Sequence, residues 1–175
     1  AAMRENYPEQ HYKDGDRIYK RKRAEELAES SGSEFDLGSF NHPPLDLTKP
    51  VVLSGMSNAG KTEFAKAHGK YPLVCATMDD LKRITSKTTH LVFDDMDFRQ
   101  AGLSPEEIIH LLTINDARSI NMRYAPALIP KGMPRIFTTN LKAKKIFPKG
   151  KNAEQQEGIN RRHTVVVITA KLWTP

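Results

Sequence analysis

The sequence predicts an α/β domain on a mostly parallel central sheet, preceded by a small N-terminal helical element. Three observations carry the prediction. Residues Gly55 to Thr62 read GMSNAGKT, a full match to G-x-x-x-x-G-K-[ST], placed between the apolar strand Val51–Ser54 and the helical stretch TEFAKAHG. Further short apolar runs, PLVCAT, THLVFDD, PRIFTTN and TVVVIT, alternate with helical patterns or polar breaks, as strands buried in a parallel sheet do. Finally, SGSEFDLGSFNHPPLDLTKP reads as a linker by its Gly, Ser and Pro content, dividing residues 1–48 from a main domain over 49–175.

The elements follow in order. Arg17 to Gly32 is a helix of good helix formers with little apolar surface, so it needs a neighbour, either the main domain or another subunit. Strand 51–54 leads through the glycine loop into a helix with Phe64 and Ala65 inward and Gly69 as its stop. PLVCAT (Pro72 to Thr77) is a second strand, MDDLKRI a short helix and THLVFDD (Thr89 to Asp95) a third strand ending in acids. Ser104-Pro105-Glu106-Glu107 is a capping box with proline at the first helical position, and Ile108, Ile109, Leu111, Leu112 and Ile114 form that helix's buried stripe. Arg118 to Pro130 is a hairpin, PRIFTTN (Pro134 to Asn140) a fourth strand with a polar tip, AEQQEGIN a helix, and TVVVIT (Thr164 to Thr169) a closing buried strand.

Composition excludes several classes. A single cysteine, Cys75 inside an apolar run, rules out a disulfide framework and reads as a small core hydrophobe. No apolar stretch approaches the roughly 20 residues that cross a bilayer, so an intracellular protein without a membrane partner is expected. The net charge of +6 is concentrated: residues 117–175 hold 12 Lys/Arg against 2 Asp/Glu, while residues 1–50 and 51–116 are each net −2. That asymmetry fits a polyanion at the C-terminal third, or a lysine-rich solvated face.

The glycine motif points to a nucleoside triphosphate. Gly55, Ser57, Asn58, Ala59 and Gly60 supply backbone N–H groups at a helix start, Lys61 reaches the β- and γ-phosphates, and the Thr62 hydroxyl ligates Mg²⁺. LVFDD supplies two carboxylates at a strand's end: Asp94 to hold Mg²⁺ through its water shell and Asp95 to polarise the attacking water. The alternative is a solvated acidic turn. Asn140, also at a strand's end, can donate to a γ-phosphate and orient water, or simply fill a turn.

The order of these segments resembles the superfamily 3 helicases. More closely, it is similar to the helicase domain of the replication initiator (Rep) proteins of small circular single-stranded DNA viruses. GMSNAGKT stands as Walker A, LVFDD as Walker B, INMRYAPALIPKGMP as the B′ region and RIFTTN as motif C with Asn140 as sensor; INRRHTVVVI resembles the arginine pair and strand that follow. The resemblance covers residues 51–170. It implies a P-loop, AAA+-like ATPase using ATP and Mg²⁺, a homo-oligomeric ring, usually a hexamer, and single-stranded DNA as partner. Arg161 and Arg162 would reach a neighbour's γ-phosphate, or else cap a helix or pair with surface acids. Arg123 and Tyr124, near the hairpin's turn, would grip the strand, with Lys131 a weaker contact. Lys142, Lys144, Lys145, Lys149 and Lys151 read first as a solvated loop, second as a DNA or interface patch.

One family feature is missing. The Rep nuclease signature His-x-His does not occur, and Gln10 stands at the place of its tyrosine nucleophile beside HYKDGD, so a motor without that nuclease is expected. As a DNA-virus replication protein it would work in the host nucleus. Two other classes remain open at this level: a P-loop nucleoside or small-molecule kinase, which would want an acceptor pocket, and a nucleotide-gated scaffold without turnover.

Overall fold

Five of the apolar runs form one sheet. In the computed structural model, which describes residues 17–23, 26, 32–122 and 126–173, the elements are β1 (Val51–Gly55), α1 (Lys61–Lys66), β2 (Pro72–Cys75), β3 (His90–Asp94), α2 (Pro105–Leu111), β4 (Arg118–Ile120), β5 (Ala127–Ile129), β6 (Arg135–Thr139), α3 (Ala153–Asn160) and β7 (Thr164–Ile168). The sheet order is β2-β3-β6-β1-β7 and every neighbouring pair is parallel. β4 and β5 pair separately as an antiparallel ribbon. This is an α/β architecture of the kind that Rossmann and P-loop folds share.

Alternation along each strand divides the core between the two faces. Val52, Cys75, Phe93 and Phe137 enter one cluster with Phe98, Ile108, Leu111, Phe147 and Ile159. The register sets Phe93 beside Phe137, and their rings stack at 4.7 Å and 10°. Val51, Leu53, Val92 and Ile136 enter the other cluster with Phe40, Phe64, Ala65 and Leu172. Because both faces of β1, β3 and β6 are covered, these strands read as unbroken apolar runs.

Local signals behave as their chemistry dictates. Ser104 Oγ accepts from Glu107 N at 3.2 Å while Glu107 Oε2 accepts from Ser104 N at 2.8 Å, the reciprocal cap that starts α2 with Pro105 in its first turn. MDDLKR forms a 3-10 helix (Met78–Arg83), with Asp80 Oδ2 accepting from the N–H groups of Ala76 and Thr77. Cys75 is buried in the core, and burial pushes its thiol up to about 12, so it offers no thiolate.

Two expectations need correction. TVVVI is not a buried strand: β7 closes one edge of the sheet, and Val165 and Val167 stand 45% and 66% exposed. Val165 pairs with the fully buried Val52, so the cover over that face ends between β1 and β7. The segment read as a linker is likewise packed. Phe40 is buried, its ring 5.1 Å from Phe64 of α1, and Leu45 N donates to His68 Nε2 at 2.9 Å. Prolines and glycines marked turns here, but the aromatic side chains between them decide the packing.

Of the helix expected over 17–32, residues 17–23 are helical and exposed; much of the remainder lies outside the described residues. No helix among the described residues is long and apolar enough to cross a membrane.

Candidate functional site

The carboxyl ends of β1, β3 and β6 lie side by side, so the chain segments that follow them meet at one edge of the sheet, where ligands bind in open α/β folds. They enclose a cavity of about 300 Å³ lined by residues 57–63, Asp94, Asp95, Thr138, Thr139 and Asn140. The glycine loop and the two later strand ends, separate in sequence, form its walls.

Within the loop, Asn58 (φ 58°) and Gly60 (φ 88°) take left-handed backbone, a conformation common in anion-binding nests. Gly55 permits the close approach of β7: a Cβ there would collide with the Ile168 carbonyl oxygen. Ser57 and Asn58 are exposed, whereas Ala59 is buried under the chain's C-terminal segment, where Leu172 N donates to Ala59 O at 2.8 Å.

Lys61 begins α1 and is 7% exposed. Its Nζ donates to Gly55 O at 3.0 Å, Met56 O at 2.6 Å and Asn140 Oδ1 at 2.9 Å, using all three protons. Burial lowers its pKa from the ordinary lysine value, and Asp95 and Asp94 pull it back up. The contact orients the Asn140 amide, with oxygen on the ammonium and NH₂ left for another partner. Ser54 Oγ, donating to Leu141 O at 2.8 Å, holds the β1 end against the segment that carries Asn140.

Thr62 Oγ1 donates to Asp94 Oδ1 at 2.6 Å, and Thr138 Oγ1 donates to the same oxygen at 2.9 Å. Asp94 and Thr138 are register partners of β3 and β6, which explains their meeting. Asp95 N donates to Thr138 O at 3.0 Å and to Thr138 Oγ1 at 3.2 Å. Asp95 itself adopts φ 50°, a left-handed turn that Asp tolerates, and its side chain is exposed in the cavity wall. Thr138 thus positions both acids. The sequence reading overlooked it; the available signal was a hydroxyl in an apolar strand, level with the first acid.

A hydroxyl and a carboxylate at 2.6 Å are hard oxygen donors, and they suit Mg²⁺ with its remaining ligands from phosphate and water. Among the described residues no group of three or more His, Cys, Asp or Glu is placed to hold a metal by itself.

A second cavity, about 480 Å³, adjoins the first and is shared with the hairpin: Asp79, Asp95, Asp97, Asn121 and Met122 line it. Asp95 therefore faces both spaces. Asp97 is held by Arg99, at 2.9 and 2.7 Å from Nε and Nη2, which keeps its pKa below the usual carboxylate value.

The other expected site residues lie elsewhere. Arg161 and Arg162 precede β7, whose first residue pairs with Val51 while the loop leaves β1 after Gly55. They sit at the opposite edge of the sheet, more than about 12 Å of strand away from the phosphate cavity. Arg162 Nη1 donates to Gly158 O at 2.7 Å; Arg161 is exposed. With Lys49, Arg118 and one acid, Asp116, they line a cavity of about 380 Å³. Lys131 is exposed beside Gly132, whose N–H donates to Ile114 O, so it stands at the hairpin's base. Arg123 and Tyr124 lie outside the described residues. Lys142, Lys144, Lys145, Lys149 and Lys151 are exposed, Lys151 pairing with Glu106 at 3.2 Å.

Compared with protein-family models and with curated proteins, the chain matches none.

Proposed function

We propose that this chain is an ATP-driven DNA helicase motor of the superfamily 3, Rep-type class: a P-loop, AAA+-like ATPase that hydrolyses ATP between subunits of a ring. The observation that carries the reading is the pair of contacts Lys61–Asn140 at 2.9 Å and Thr62–Asp94 at 2.6 Å. They join the glycine loop, the acid pair and the strand-end amide around one cavity, with the chemistry each motif requires.

In the proposed cycle Lys61 leaves the carbonyl oxygens of Gly55 and Met56 for the β- and γ-phosphates, where its charge is better used. Thr62 and Asp94 would hold Mg²⁺, which when bound would supply neutralisation of charge on the phosphate oxygens. Asp95, with its exposed carboxylate, accepts the proton of the water that attacks the γ-phosphorus, and the leaving bond is that to the β-phosphate bridging oxygen. The Asn140 NH₂ group orients the water or the γ-phosphate.

Arg161 and Arg162 are too distant from the phosphate cavity of their own chain, so a finger role requires a neighbouring copy, consistent with a ring. Asp95 lines the cavity shared with Asn121 and Met122 of the β4–β5 hairpin, which in this reading links the phosphate site to the hairpin. A single-stranded nucleic acid, by this reading DNA, is the hairpin's ligand.

The test is phosphate release from ATP, with and without single-stranded DNA and without any small acceptor. Stimulated release, abolished together with nucleotide binding in Lys61→Ala, supports the motor. The double variant Arg161→Ala/Arg162→Ala should bind ATP and not hydrolyse it. Turnover that depends on a nucleoside acceptor, or a double variant with unchanged turnover, contradicts the proposal.

A further inference from the structure

Among the described residues the phosphate cavity has no aromatic side chain in its wall, so the residues that would hold a triphosphate leave the nucleobase unaccounted for. Two rings with free surface stand immediately beside it. Trp173 lies on the glycine loop: a Cβ at Gly60 would come 2.7 Å from its Cδ1 and 3.1 Å from its Nε1. Phe35 stacks on Trp173, with centroids 6.2 Å apart and planes 20° apart. The core rings Phe64, Phe93, Phe98 and Phe137 are at 0% exposure, whereas Phe35 is 43% and Trp173 41% exposed.

The pair is also anchored from both sides. Leu172, next to the tryptophan, donates its N–H to Ala59 O at 2.8 Å and accepts from Asn41 N at 2.6 Å. Phe35 meets Phe40 edge-on at 6.2 Å, and Phe40 packs against Phe64 of α1. Ser33 Oγ, two residues before Phe35, donates to Glu63 Oε2 at 3.3 Å on the same helix. Chain segments about 140 residues apart thus present one fixed aromatic surface at the loop that would cradle the phosphates. A base meeting it would find a platform already ordered, so little side-chain freedom would be lost on binding.

We infer that Trp173 and Phe35 form the nucleobase platform of this site, taking a purine ring of a nucleoside triphosphate by stacking. The inference rests on the proposed reading of the glycine loop as a triphosphate cradle. Stacking on aromatic side chains tolerates any base but gains from ring area, so ATP and GTP bind more tightly than CTP and UTP.

Trp173 is the only tryptophan in the sequence, so its emission reports the platform directly. The experiment titrates the full chain with Mg²⁺–ATP and with Mg²⁺–tripolyphosphate, following tryptophan emission and calorimetric binding in parallel. The expected result is a saturable emission change with ATP, none with tripolyphosphate, and competition between the two. Phe35→Leu and Trp173→Leu should each weaken ATP about tenfold and leave tripolyphosphate affinity unchanged; leucine preserves an apolar contact in each place. If both ligands bind but ATP leaves the emission unmoved, or if the variants weaken both ligands equally, the platform is overturned while the cradle stands. If neither ligand binds, the cradle reading fails and the platform with it.

Discussion

Thr138→Val keeps the shape of a β6 side chain and deletes its hydroxyl. In the native chain that hydroxyl donates to Asp94 Oδ1 at 2.9 Å and accepts from Asp95 N at 3.2 Å. Hydrogen bonds to charged groups contribute about 1.5–3 kcal/mol. Two features discount that range here: Asp94 is only half-buried and keeps its bond from Thr62, and Asp95 N retains the Thr138 carbonyl at 3.0 Å. A loss of about 1–2 kcal/mol remains, which lowers Tm by roughly 3–6 °C for a domain of this size. The functional effect should be larger in proportion, because both acids lose one fixed position. Hydrolysis should fall at least about tenfold, equivalent to ~1.4 kcal/mol, with ATP affinity measured in EDTA unchanged. Thermal melts with phosphate-release assays make the measurement. Full turnover with an unaltered melt would refute the assignment of Thr138 as the residue that positions the acids.

Two further predictions concern the scaffold. Arg135 is fully buried, its Nη1 donates to Thr113 O, and its Nε and Nη2 have no hydrogen-bond partner among the described residues; burial pushes its pKa down to about 10. Arg135→Met removes that buried unpaired charge at similar length and should raise stability by ~1–3 kcal/mol in chemical denaturation; a destabilised variant would show that the guanidinium has a role in holding the fold. His90 is buried with Nε2 at 2.9 Å from Ala65 O, and burial drives its pKa from 6.5 down to about 4. The unfolded chain therefore binds a proton between pH 6.5 and 4 that the folded chain refuses, and stability present above pH 6.5 is lost as pH falls. The His90 contribution reaches about 3 kcal/mol at the lower limit, and His68 and His163, lowered by burial too, act in the same direction. His90→Gln should flatten the acid limb of the stability–pH curve; an equally steep limb would contradict the assignment.

Much of the sheet was legible because its signals are local. The Ser104–Glu107 cap and the apolar runs each carry their own geometry, and the structure forms the cap and places a strand in each of the five runs. What escaped depends on distant neighbours. The run TVVVI is as apolar as VVLS, yet β7 lies at the sheet edge and β1 near its centre, a difference set by strand order alone. Phe40 looked like part of a turn-rich connector because nothing beside it in sequence shows that Phe64 awaits it. Thr138 and Trp173 acquire meaning only through register with Asp94 and contact with Gly60. The arginine pair presents the converse case: its sequence position suggested a catalytic partner, and the parallel register sets it at the far edge of the sheet from the glycine loop.

That far-edge placement is the basis of the most direct test. Lys61→Ala lacks a working cradle but retains Arg161 and Arg162; Arg161→Ala/Arg162→Ala retains the cradle but lacks the pair. The measurement is ATP hydrolysis by each variant alone and by equimolar mixtures after subunit exchange. Sites shared between subunits predict two inactive variants whose mixture recovers a substantial fraction of native turnover. A mixture as inactive as its components, under conditions where exchange is demonstrated, would contradict a site completed by the neighbouring chain.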